Sequence, residues 1–193
     1  MGHCYARYEE GVSSGKAGGE NFVERDNWKR GLQNNEPGKV GAAMTTHGTY
    51  AEAICDGHHL NPIAVRALVN AKGYDHTVLI TDCMRAGGMP NGQYKLGDFP
   101  VVVEGGTARL MDESHSLAGS ILRLFEGVKN VFDWGIVSAE EAVRMASENP
   151  ARSCGIDDVC GFIRPGYDAD FIVVTKDLQL EETFLGGKSV YKA

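Results

Sequence analysis

Thr77-Val78-Leu79-Ile80-Thr81-Asp82 is the stretch that decides the fold. Its apolar, β-favouring run lacks the alternation of a half-solvated strand and reads as a strand buried on both faces, as in a parallel sheet covered by helices. A parallel strand requires a crossover, and a helix pattern stands immediately upstream. Asn61-Pro62 starts it, with Asn as N-cap and Pro at the first helical position. Lys72-Gly73 stops it. Asp82 closes the strand at its carboxyl end, where barrel enzymes place catalytic groups. A carboxylate held there in low dielectric suits a general base that later acts as acid. The same position also suits an Asp that begins a turn and caps backbone amides.

Downstream, Gly87-Gly88, Pro90-Asn91-Gly92 and Gly97 predict a long loop. Residues 100–104 and 108–111 flank Gly105-Gly106, a hairpin pattern. Residues 117–133 read as one amphipathic helix, on the spacing of Ile121, Leu124, Phe125, Val128 and Phe132. Leu117-Ala118-Gly119-Ser120 opens that helix in this reading, where its free amides suit a substrate oxygen and its small residues suit close packing. Ser138-Ala139-Glu140-Glu141 resembles a capping box for a further helix to about Ser147. From Gly161 the character changes: residues 162–163, 171–175 and 189–191 read as short strands of a small β unit appended to the α/β body. Upstream, residues 42–46 read as a strand and 51–55 as a short helix or strand. Residues 5–18 read as a short helix and 20–38 as polar loop or short helix.

With 193 residues the chain is long enough for one ordinary domain with a real core. Hydrophobic residues make up 42% and charged residues 23%, globular values that argue against disorder. A net charge of −7 disfavours nucleic acid and anionic membranes, both of which require clustered Lys and Arg. A local pocket can still receive a small anion. No apolar run reaches the length of a membrane span, and Met1-Gly2-His3-Cys4 lacks an apolar signal region. Cys4, Cys55, Cys83, Cys154 and Cys160 are scattered without zinc-ribbon or redox spacing, which suggests reduced cytoplasmic thiols.

Asp56-Gly57-His58-His59 invites a metal reading. Adjacent residues of a strand point to opposite faces, however, so one His faces a pocket while the other meets solvent or core. The alternative is a turn in which Asp56 bonds to its own backbone. His3 and His47 are single histidines beside glycine, a surface pattern, and His76 and His115 read as structural.

Several short motifs follow one another in a defined order. They are Gly2-His3, Glu36-Pro37-Gly38, Ala51-Glu52, Asp56-Gly57-His58-His59, Leu79-Ile80-Thr81-Asp82, Leu117-Ala118-Gly119-Ser120, Asn149-Pro150-Ala151-Arg152 and Gly166-Tyr167-Asp168-Ala169-Asp170. The ordered set resembles N-acetylglucosamine-6-phosphate deacetylases of the amidohydrolase superfamily. That resemblance implies an α/β fold, the C-terminal part of a (β/α)8 TIM-type barrel followed by short strands of a small β-sandwich. Residues 1–155 would form the partial barrel and residues 156–193 the β-strand tail. It implies a chain that starts about halfway along such an enzyme and a cytoplasmic hydrolase of amino-sugar catabolism. It also implies a divalent metal, zinc or iron, that activates water against an acetamide. Asp82 matches the proton-handling Asp. His59, Asn27, Leu117, Ala118 and Gly119 match substrate contacts, and His3 matches a metal ligand.

Two positions depart from that pattern. Counted back from Glu36-Pro37-Gly38, the second metal His is replaced by Glu24, which can still ligate zinc or iron and leaves an incomplete site. The phosphate-binding Arg is replaced by Asn35, which cannot supply a bidentate charged contact, with Arg25 or Arg30 as candidate substitutes. The alternative is a truncated or degenerate member without catalysis, a sugar-phosphate binding or assembly module. An unclosed barrel exposes strand edges, and the expected remedy is a homo-oligomer.

Overall fold

The computed structural model of the protein describes residues 6–8 and 38–193. At its centre β2 (Thr49–Ile54) runs parallel to β3 (Thr77–Ile80), in the register Ala51↔Thr77 through Ile54↔Ile80. The crossover is α2 (Pro62–Lys72). Asn61 Oδ1 accepts from the Ile63 amide at 2.9 Å, and Gly73, at φ 86, ends the helix with its own amide bonded to the Val69 carbonyl. A 3-10 turn, Tyr74–His76, feeds β3.

Side chains alternate across a strand, and paired residues of neighbouring strands share a face. Ala51, Ala53, Cys55 and Leu79 therefore point together into the main core, against Val65 and Leu68 of α2. That core is completed by α3 (Leu124–Asp133), through Val128 and Val131, and by α4 (Ala139–Ala146), through Ala142 and Met145. Tyr50, Glu52, Ile54 and Val78 lie on the opposite face. Only Glu52 and Ile80 of the two strands escape full burial, as expected of strands covered on both sides.

The capping box at Ser138 forms: its hydroxyl accepts from the Glu141 amide at 3.3 Å and Glu141 accepts from the Ser138 amide at 2.8 Å. A further helix, α5 (Glu148–Cys154), carries the fully buried Asn149. Its Nδ2 donates to the Tyr74 and Thr77 carbonyls at 2.6 and 2.7 Å, fixing α5 to the start of β3.

Two antiparallel sheets complete the described chain. β4 (Gly92–Leu96), β5 (Phe99–Glu104) and β6 (Thr107–Leu110) form a meander over a small core of Met84, Val101, Val103, Ala108 and Ala118. β7 (Phe171–Val174), β8 (Leu180–Leu185) and β9 (Lys188–Lys192) form the other, anchored to the main core through Leu178 and Val174.

Several sequence expectations require correction. Residues 42–46 are no strand, because 42–45 finish helix α1 (Gly38–Thr45) and Thr46 follows its end. Residues 6–8 form a strand, β1 (Ala6–Tyr8), paired antiparallel to β2, rather than part of a helix over 5–18; residues 9–18 lie outside the described residues. The long loop predicted after Asp82 contains β4, whose Gln93-Tyr94-Lys95 finds its ladder partner in β5. Phe162-Ile163 is no strand: Gly161-Phe162 is a bend, with Gly161 at φ 86 packed against Ala151. Helix α3 begins at Leu124 and not at Leu117.

Candidate functional site

Asp82 leaves β3 in the left-handed region, φ 46, which is uncommon for a residue with a side chain. Residues 117–122 hold it there. The Ser120 amide donates to the Asp82 carbonyl at 2.8 Å, and the Met84 amide returns a bond to the Ser120 carbonyl at 2.9 Å. The Ser120 hydroxyl donates to the Thr81 carbonyl and accepts from the Leu122 amide. Cys83 and Ser120 thus form a parallel bridge that extends β3 beyond its end. Gly119 permits this approach: it sits at φ 68, and a Cβ there would stand 3.0 Å from the Asp82 carbonyl oxygen. The Leu-Ala-Gly-Ser run is accordingly an extended staple rather than a helix opening, because its amides and Ser120 pair with β3 and β6 instead of turning on themselves.

The Asp82 side chain opens onto a cavity of about 390 Å³. Leu117, Ala118 and Gly119 line one wall, and Leu96, Phe99 and Leu110 of the β4–β6 meander line another. The structure therefore brings together Asp82 and the Leu117–Gly119 positions that the sequence nominates. It corrects their environment: Asp82 is solvent-exposed, so its carboxylate stands in a wet cleft and not in low dielectric.

Glu52 is the residue that sequence reasoning missed. It shares the inner face of β2 with Ile54. Burial, and next the negative charge of Asp82, push its carboxyl above the ordinary value of 4.5. The two carboxylates thus act on one another across the parallel pair. The Ala51-Glu52 motif gives it no role in the site; the pairing of β2 with β3 brings it near Asp82.

At the end of β2, Asp56 organises the two histidines. Its Oδ1 accepts from the His58 and His59 amides, each at 2.8 Å, and its Oδ2 meets His59 Nδ1 at 2.7 Å. Burial raises the Asp56 carboxyl, but these three bonds and the His59 ring together outweigh it and hold the group down to about 2. Asp56 is therefore an anion that claims His59 Nδ1 and leaves Nε2 as the other functional nitrogen. The pair lies in a bend beyond β2, so the turn reading holds and strand alternation does not apply, yet the two rings meet different surroundings. His59 is nearly buried, with 4% of its side chain exposed, whereas His58 is exposed and lines a second cavity of about 440 Å³. Arg123, Glu126 and Asn130 of the α3 region face that cavity too. Asn130 also donates to the Cys55 carbonyl at 2.8 Å, tying α3 to the end of β2. His59 lines neither cavity.

His3, Glu24 and Asn27 lie outside the described residues. Among the described residues, no group of three or more His, Cys, Asp or Glu side chains is arranged to hold a metal ion. The described donors alone do not complete a divalent metal centre.

Comparison with known proteins gives a consistent set of relatives. Residues 39–190 match the amidohydrolase family. The N-acetylglucosamine-6-phosphate deacetylase of Vibrio furnissii is 40% identical over 193 residues, all of this chain and 48% of the relative. The N-acetylgalactosamine-6-phosphate deacetylase of Escherichia coli O157:H7 is 36% identical over 188 residues, 97% of this chain and 49% of the relative. The crystal structure of N-acetylglucosamine-6-phosphate deacetylase from Thermotoga maritima superposes with a TM-score of 0.78 at 34% identity, over 85% of this chain and 44% of that one. The chain spans about half the length of each of these proteins.

Proposed function

This chain belongs to the amidohydrolase family, and on that premise we propose that it carries the acid–base half of a deacetylase for N-acetylglucosamine 6-phosphate. In this reading residues 1–155 supply later strands of a (β/α)8 barrel, and residues 156–193 supply strands of a small β-sandwich. The β2–α2–β3 unit supports the first assignment, being a parallel pair joined by a helix with an acidic residue just beyond its carboxyl end.

The observation that carries the proposal is the stapling of Asp82 to Leu117–Ser120 at the mouth of a cavity. Asp82 takes a proton from water as the water oxygen attacks the acetamide carbonyl. It then gives that proton to the departing nitrogen, so that the C–N bond breaks to acetate and an amine. Its exposure leaves it accessible to water. Residues 117–119 bound the substrate beside it, and Asp56 fixes His59 in one orientation toward its remaining nitrogen. A divalent metal, zinc or iron, would polarise the carbonyl and acidify the water when bound, with His3 and Glu24 as its proposed ligands.

The E. coli relative, at 36% identity, favours a second reading in which the substrate is the galacto epimer. Acetate release from the 6-phosphates of N-acetylglucosamine and N-acetylgalactosamine, with zinc or iron added, decides between them. Faster release from the gluco sugar is expected. Faster release from the galacto sugar replaces the first reading with the second, and no release from either overturns both in favour of a non-catalytic role.

A further inference from the structure

The cavity at Asp82 has walls that an acetyl group does not use. Leu96 and Phe99 are cross-strand partners at the β4–β5 turn, and both remain exposed, Phe99 to 63% and Leu96 to 39%. Side by side at the hairpin end, they leave a small exposed apolar wall. Both line the same cavity as Asp82, together with Met84, Leu110 and Leu117. A concave, mostly apolar space with one reactive polar group is the form of a small-ligand site rather than of a flat protein interface. Its volume of about 390 Å³ also far exceeds the need of an acetyl methyl, which is comparable to one water, about 30 Å³.

We propose that the Leu96–Phe99 wall is an acyl pocket and that the protein accepts N-acyl amino sugars with chains longer than acetyl. The inference rests on the hydrolase reading above, which puts the scissile carbonyl at Asp82. The group carried by that carbonyl carbon then lies against Leu96, Phe99 and Leu117. The reaction is unchanged: water adds to the carbonyl, the C–N bond breaks, and a longer carboxylate leaves with the amine as partner product. Each methylene that the pocket fully covers adds about 0.8 kcal/mol, or about fourfold in affinity.

The test is calorimetric titration of the full chain, with zinc present, by N-acetyl- and N-butanoyl-glucosamine 6-phosphate, with released carboxylate followed in parallel. The butanoyl compound should bind at least about threefold tighter, a discount on two methylenes for a wall still partly open to water. Phe99→Ala and, separately, Leu96→Ser should bring that ratio back toward one, and the exposure of both side chains keeps either change from threatening the fold. Equal binding of the two compounds, preference for acetyl, or a ratio untouched by both variants overturns the acyl pocket while leaving the deacetylase reading intact. Failure of both compounds to bind and to be hydrolysed overturns that reading, and the pocket with it.

Discussion

Thr77-Val78-Leu79-Ile80 and Phe171-Ile172-Val173-Val174 are comparable apolar tetrapeptides, and both are strands, yet they meet different fates. The first is parallel to its neighbour and buried but for the half-buried Ile80, with side chains of α2, α3 and α4 packed around Leu79 in the main core. The second is an edge strand of an antiparallel sheet, with Ile172 and Val173 open to solvent. Local sequence makes each a strand, but pairing partners and covering helices decide which one can hold a site. The buried pair is held by the helices packed on it and by the Ser120 bridge beyond its end, so Asp82 is held in a defined place. The exposed sheet fixes little beyond its own ladder.

The largest effects should fall on the buried pair. Leu79→Ala should cost about 2–5 kcal/mol in denaturant unfolding, because the core around it cannot close on the space. Asn149→Ala removes the two bonds that seat β3 on α5 and should cost about 1–3 kcal/mol. Asp56→Asn should remove an acid-sensitive contribution to stability. The folded group titrates near 2 against an ordinary 3.8, so its contribution is present above about pH 4 and is lost as pH falls toward 2. Wild type and variant should therefore converge in melting temperature at low pH. Glu52→Gln should act with the opposite sign. Its carboxyl is raised above 4.5 in the folded protein, so ionisation opposes folding above that value, and the variant should melt higher at pH 7 with no gain at pH 4. The smallest effect belongs to Ile172→Ala, within about 1 kcal/mol for a half-exposed position. An Ile172→Ala cost equal to that of Leu79→Ala would break the comparison between the two strands.

Features with one local cause were legible in the sequence. The Asn61-Pro62 start, the Gly73 stop, the Ser138 box and the Gly105-Gly106 hairpin each follow from a few neighbouring residues. Errors arose where periodicity was ambiguous or a tertiary partner decided. Residues 42–46 offer a short apolar run that suits helix and strand alike. The heptad-like spacing of α3 invites extension back to Leu117, but Gly119 and the bonds from Ser120 to β3 stop the helix at Leu124. Of the candidate site, the place of Asp82 just beyond β3 follows from the strand pattern, and residues 117–119, which line its cavity, were nominated by the ordered motifs. The approach of Glu52 to Asp82, and the exposure of Asp82 itself, depend on register and on the meander beside it. No local pattern encodes either.

Asp82, held by the Ser120 staple, is proposed to move the proton in amide hydrolysis. Acetate release from N-acetylglucosamine 6-phosphate by the full chain with added zinc, compared with Asp82→Asn, tests it most directly. A fall of about 100-fold or more in kcat, with the melting temperature unchanged, is the predicted result. Equal release by the two proteins would contradict the claim.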